Sequence, residues 1–136
     1  MAGKVVVDAV SARLAANWTA TAIVDDDTTG QGTGDGSAYV TVEYPVAVEN
    51  QITVGSPGNN VFRESGAFRI KLICPTGTGL SQPLAWIDQL RAIFRGKQFS
   101  GVVCYAPSPG VIDNSNYAAG KFIISSSVPY YTDLFA

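Results

Sequence analysis

The stretch RIKLICPTGTGLSQPLAWIDQLRAIFRG, from Arg69 to Gly96, decides the fold. Phe68, Ile70 and Leu72 alternate with Arg69 and Lys71, which predicts a strand with one buried face and one wet or partner-facing one. Trp86, Ile87, Leu90, Ile93 and Phe94 then recur as one stripe of a helix. Ser81 suits the N-cap and Pro83 the first turn, while Arg91 and Arg95 suit the carboxyl end of the helix dipole and Gly96 the C′ position. Between strand and helix, Gly77 and Gly79 outline a phosphate-binding turn. The residues around them argue otherwise. A Walker loop needs a Lys for the terminal phosphates, and GTGLSQ has none; a dinucleotide fingerprint needs a third Gly where Gln82 stands. A strand-to-helix connection is the reading that remains.

Working outward, Val6, Val10, Leu14 and Trp18 recur every four residues, which predicts an amphipathic helix from about Lys4 to Trp18. TAIV (Thr21 to Val24) reads as a short strand. In AYVTVEYPV (Ala38 to Val46), Val40, Val42 and Tyr44 share one face and Tyr39, Thr41 and Glu43 the other, with Pro45 ending regular pairing or marking an edge. AVENQITVGSPGNN is expected to be a short extended arm closed by a Gly/Pro/Asn turn. VFRESGAFRIKLI (Val61 to Ile73) is the strand that leads into the decisive stretch, with Gly66 marking a bulge. After the second helix, FSGVVCYAP and YAAGKFIISSSVPYY are expected to pair as an antiparallel hairpin across SPGVIDNSN. The fold class is therefore α+β: a single mixed, mostly antiparallel sheet packed by two helices, in the order α-β-β-β-α-β-β, as one domain over residues 1–136.

Composition sets the outer bounds. The 136 residues are enough for one sizeable core, and 46% of them are hydrophobic. Charged residues are only 15%, against about a quarter in an ordinary domain. That is the balance of a chain that hides part of its surface in an assembly. The net charge of −2 comes with no basic stripe of the kind that tracks nucleic acid. The apolar run at the N-terminus is short and broken by Asp8 and Arg13, unlike a signal peptide, and no segment approaches the roughly 18 apolar residues of a membrane span. A soluble chain without a membrane partner is expected.

The candidates for chemistry fall away in turn. There is no His, which removes the commonest general base and metal ligand. Cys74 and Cys104 lie far apart beside apolar strands and read as buried thiols. DDDTTGQGTGDGS (Asp25 to Ser37) meets a calcium-loop pattern at Asp27 and Gly30, but Gly36 stands where a bidentate Glu is required. With no apolar residue to bury, residues 25–37 are expected to form a mobile acidic loop. Ser125, Ser126 and Ser127 have no base evident nearby in sequence. No catalytic residue, no cofactor and no metal site is expected, and the chain is read as a non-enzyme.

Order and pattern together carry a resemblance that covers nearly the whole chain. ARLAANW on the first helix, AYVTVEYP after a variable loop, the F-R-I-K-L strand with P-x-G-T-G and a W-x-x-x-L-x-x-x-F helix, then GKFIISSSVP and YYTD, resemble the tail terminator proteins of long-tailed bacteriophages. The resemblance implies a structural virion protein. It implies a ring, a homo-hexamer, that caps the head-proximal end of the tail tube, stops tube polymerisation and offers the head-joining surface. Its implied partners are further copies of itself, the tail tube protein and a head-completion or connector protein, with DNA passing through unbound; its implied place is the tail, after assembly in the host cytoplasm. The alternatives are another head–tail joining or minor tail protein, or a small phosphate-binding enzyme or ligand-binding module.

In such a ring one face of a subunit meets a different face of its neighbour. Asp25, Asp26, Asp27 and Asp35 gather negative charge on one loop, while Arg63, Arg69, Lys71, Arg91, Arg95 and Lys97 face only Glu64 and Asp88 between Val61 and Lys97. The loop is therefore expected either to lie against the next subunit's basic strand, around Arg63, Arg69 and Lys71, or to line the bore and repel DNA. Tyr130, Tyr131, Leu134 and Phe135 make an aromatic-rich tail expected to dock on a partner or back on its own domain.

Overall fold

The computed structural model describes residues 2–24, 37–77, 79–113 and 120–136. The elements are α1 (Lys4–Asn17), β1 (Ala22–Ile23), β2 (Tyr39–Gln51), β3 (Val61–Pro75), α2 (Ser81–Phe94), β4 (Gln98–Phe99), β5 (Val102–Cys104), β6 (Val111–Asp113) and β7 (Lys121–Phe135). The strands form one sheet in the order β1-β2-β3-β7-β5-β4, with β6 also paired to β7. Every pairing is antiparallel except β1 with β2. The α+β class and the expected series of elements hold, with two short strands, β4 and β6, added.

Long alternating sequences give long strands. β3 pairs with β7 without interruption from Val61↔Phe135 to Pro75↔Lys121, so these two strands are the spine of the sheet. The even-numbered residues of β3 face the helices: Phe68, Ile70 and Leu72 are fully buried in one cluster with Val6, Val10 and Leu14 of α1 and Ile87, Leu90 and Phe94 of α2. Phe68 sits at its centre, edge-on to Phe94 at 5.1 Å between centroids and 6.0 Å from Tyr130. Burial of a large side chain is worth about 1.5–3 kcal/mol, so this cluster is the main attachment of both helices to the sheet. Arg13 bridges the helices, donating through Nε to the Ile93 carbonyl at 2.8 Å while its guanidinium lies over the Phe99 ring.

Four local expectations are corrected. Ser81 is the first residue of α2 and not its cap; Leu80 holds the cap position and no side chain bonds to the helix end there. Pro45 does interrupt regular pairing, on an edge of the sheet, as expected. The strand absorbs it in a register shift between Glu43 and Val46, where Tyr44 and Pro45 together face Phe68, and continues to Gln51. The segment read as a separate arm is thus the second half of β2, paired residue by residue with β3. The bulge lies on β2 and not at Gly66, whose place in β3 is regular; a Cβ there would come within 2.2 Å of the Val46 carbonyl oxygen, so Gly66 is where two backbones approach closely. Finally, the last two strands do pair, but β5 covers only Val102↔Thr132 to Cys104↔Tyr130, and the linker read as a turn runs on beside β7 and pairs again as β6. Ser108 holds it there, accepting from the Ser126 hydroxyl and, through its own hydroxyl, from the Ser127 amide.

Candidate functional site

The bulge in β2 changes what each face of the sheet carries. Before it, Val40, Val42 and Tyr44 pack toward the helices. After it, the alternation is displaced by one residue, because two residues of β2 oppose one of β3. Val46 and Val48 consequently fall opposite Ala67 and Ser65, on the face away from the helices, and both are more than half exposed. In the same rows of that face stand Pro129 and Tyr131 of β7, opposite Ala67 and Ser65. Tyr105, half exposed, lies beside Tyr131 at 5.7 Å between ring centroids. This outer face is an apolar surface that no described helix covers.

The charges bordering it are paired at home. Arg63 grips Asp133 through two hydrogen bonds, 2.8 Å from Nε and 3.1 Å from an Nη, across directly opposed positions of β3 and β7, and its guanidinium lies 4.3 Å above the Tyr131 ring. That hydrogen bond, with the attraction of the cation, holds the Asp133 carboxyl below its ordinary value and raises the Arg63 guanidinium. Arg69 donates to Glu43 at 2.8 Å, and Lys71 lies 3.6 Å from the same carboxylate. Each cation of the basic strand therefore already has a carboxylate partner within its own subunit, although Arg69 and Lys71 share one. The strand's expected counterparts, Asp25, Asp26, Asp27 and Asp35, lie outside the described residues, as does nearly all of the acidic loop at 25–37.

The four tail residues separate. Tyr130 is buried; its hydroxyl donates to Glu64 at 2.8 Å, and burial followed by that hydrogen bond pushes the phenol well above its usual range. Tyr131 is half-buried on the outer face. Leu134 and Phe135 are paired to Phe62 and Val61 through the backbone while their side chains stay exposed. The chain end is tied further by Asn60 and Ala136, which exchange both backbone hydrogen bonds at 3.0 Å.

Gly77 and Gly79 adopt positive φ, 90° and 85°, and line a recess of about 380 Å³ with Thr76, Leu80 and Phe122, none of them charged. Cys74 and Cys104 are buried free thiols, and burial pushes both up to about 11, away from thiolate reactivity. Among the described residues no group of acidic or Cys side chains is arranged to hold a metal ion, and no helix is long and apolar enough to cross a membrane. Sequence reading missed Val46, Val48, Tyr105 and the two carboxylates, Glu43 and Asp133. Pro45, which interrupts a clean alternation, was the available signal for the first two; the pairings of the others span the sheet and leave no local trace.

A comparison with curated proteins found no match. A comparison with protein families matched the model of the phage tail terminator protein over residues 5–130, a span that takes in both helices and the sheet from β1 to the middle of the last strand. With most of its length so matched, the chain belongs to the phage tail terminator family.

Proposed function

We propose that this chain is the subunit of a homo-oligomeric ring, a hexamer, that sits on the head-proximal end of the tail tube, stops the tube from growing and presents the surface to which the head is joined. The observation that carries the reading is the family match over residues 5–130. The exposed outer face around Val46, Val48 and Tyr105 supports it, because an apolar face without a described helix over it is the kind of surface that a neighbouring subunit or the tube end would cover. The low charge of the chain, 15%, agrees with burial in an assembly. Its partners in this reading are its own copies, the tail tube protein and a head-completion or connector protein. DNA passes through the ring without specific contacts. The role is structural, in the virion, with assembly in the host cytoplasm.

The test is tube growth in vitro. Polymerising tail tube protein is mixed with the purified chain, tube lengths are measured by electron microscopy, and the mass of the chain in solution and on tubes is measured by light scattering. Short tubes carrying a ring at one end are expected. Tubes that grow to the same lengths with and without the chain, with none of it bound, would overturn the reading.

A further inference from the structure

The charges left without partners are sorted by position on the sheet. Arg63, Arg69, Lys71, Lys4 and Arg91 are engaged by carboxylates of their own chain, and Arg13 by the Ile93 carbonyl. Among the described residues, the exposed cations with no hydrogen bond or ion pair are Arg95, Lys97 and Lys121. The exposed side-chain carboxylate in that condition is Glu49. Arg95 and Lys97 flank Gly96 in the turn between α2 and β4, at one border of the sheet. Glu49 stands on β2, and since β1 reaches β2 only at Tyr39 and Val40, β2 itself is the opposite border at Glu49.

Glu49 also borders a groove. Beneath the start of α1 lies a cavity of about 270 Å³ whose lining includes the apolar Val5, Phe62 and Leu134 and the charged Lys4, Glu49, Glu64 and Asp133. The two glutamates are directly opposed across β2 and β3, a like-charge pairing that costs stability. Glu64 is partly compensated by the Gly3 amide and the Tyr130 hydroxyl; Glu49 is not.

We propose that this groove seats the Arg95–Gly96–Lys97 turn of a second copy of the chain. The inference rests on the ring reading: a cyclic contact joins two different surfaces of one subunit, and Glu49 at the groove and the Arg95–Lys97 turn lie at opposite borders of one sheet. The charges are complementary: Lys4 and Asp133 of the lining are paired with Asp8 and Arg63, which leaves the two carboxylates Glu49 and Glu64 to face two cations. The aliphatic stems of Arg95 and Lys97 also match the apolar walls, so the turn covers exposed Val5 and Leu134 while its charged ends reach Glu49 and Glu64. This contact sets register between neighbours more than it supplies affinity.

Charge reversal tests it. Assembly of the purified chain, alone and on tail tube, is followed by light scattering and native mass spectrometry for Glu49→Lys, for Arg95→Glu with Lys97→Glu, and for all three together. All changed positions are exposed, so thermal melts of the unassembled chains should lie close to that of the unaltered one, with Glu49→Lys at or slightly above it because the like-charge pairing with Glu64 is removed. Each one-sided reversal is expected to weaken assembly about tenfold at low salt, and the triple variant to recover most of that loss. Unaltered protein that assembles equally well with either reversal overturns the groove contact and leaves the ring standing. Loss on Glu49→Lys alone, with the Arg95 and Lys97 reversals silent, gives the groove to a basic segment of another protein and overturns the second-copy assignment. An unaltered chain that stays monomeric even on tail tube removes ring and contact together.

Discussion

Asp133 and Arg63 couple the surface of β3 and β7 to pH. The carboxyl is held below its ordinary value of 3.8 by its hydrogen bonds to the guanidinium and then by the cation's charge. A carboxyl with a lowered value in the folded state stabilises the fold above the unfolded value and loses that contribution as pH falls through the folded one. Asp133→Asn should therefore be slightly less stable than the unaltered chain at pH 7, with the gap closing below about pH 3.8. Urea melts from pH 7 down to pH 2.5 check this; a gap that persists to the lowest pH would mean that the carboxylate charge is not what matters. The pair is half exposed, so the effect is small in energy. Its larger consequence is that Arg63 offers no free charge to a neighbour, unlike Arg95 and Lys97.

At the scale of elements, the bulge in β2 and Gly66 in β3 act as one device. Tyr44 and Pro45 share a single row with Phe68, which turns Val46 and Val48 outward, and the kinked strand then brings its Val46 carbonyl almost onto Gly66. Any side chain at that position must push the two strands apart. Gly66→Ala should cost about 1–3 kcal/mol, read as a lower urea midpoint with an unchanged slope. Stability within about 0.5 kcal/mol of the original would show that the strands separate freely there. The strand-to-helix element of the opening stretch was legible because both of its periods are local: Phe68, Ile70 and Leu72 at two, Ile87, Leu90 and Phe94 at 3.6. The bulge was placed wrongly because glycine and proline both mark irregular strands, and only the partner strand shows which of them carries the extra residue.

For the whole molecule, the two faces of the sheet divide the work. One is closed by α1 and α2 over Phe68; the other carries Val46, Val48 and Tyr105 in the open. Val46→Asp with Val48→Asp should leave the melting temperature of the unassembled chain within a few degrees, because neither side chain is in the core. Assembly should fall sharply, because charge is then placed in a desolvated contact. Sedimentation beside a thermal melt checks both halves. Unchanged assembly would move the subunit contact off this face. Apolar contacts resist salt while the Glu49 contact is screened by it, so the two contributions separate in a salt titration.

The sequence by itself determined the α+β class, the two helices, the faces of the central strands and the likeness to tail terminators, because each of these is written in spacings of a few residues. It also determined that histidine chemistry was absent. Tertiary structure alone decided which charges are spent. Arg63, Arg69 and Lys71 looked like a basic surface until Asp133, seventy residues away from Arg63, and Glu43, on the neighbouring strand, were seen opposite them. It also decided that Val46 and Val48 face outward and that Glu49 and Lys97 sit at opposite borders of one sheet. Register and strand order fix such relations, and they arise only when distant segments pair.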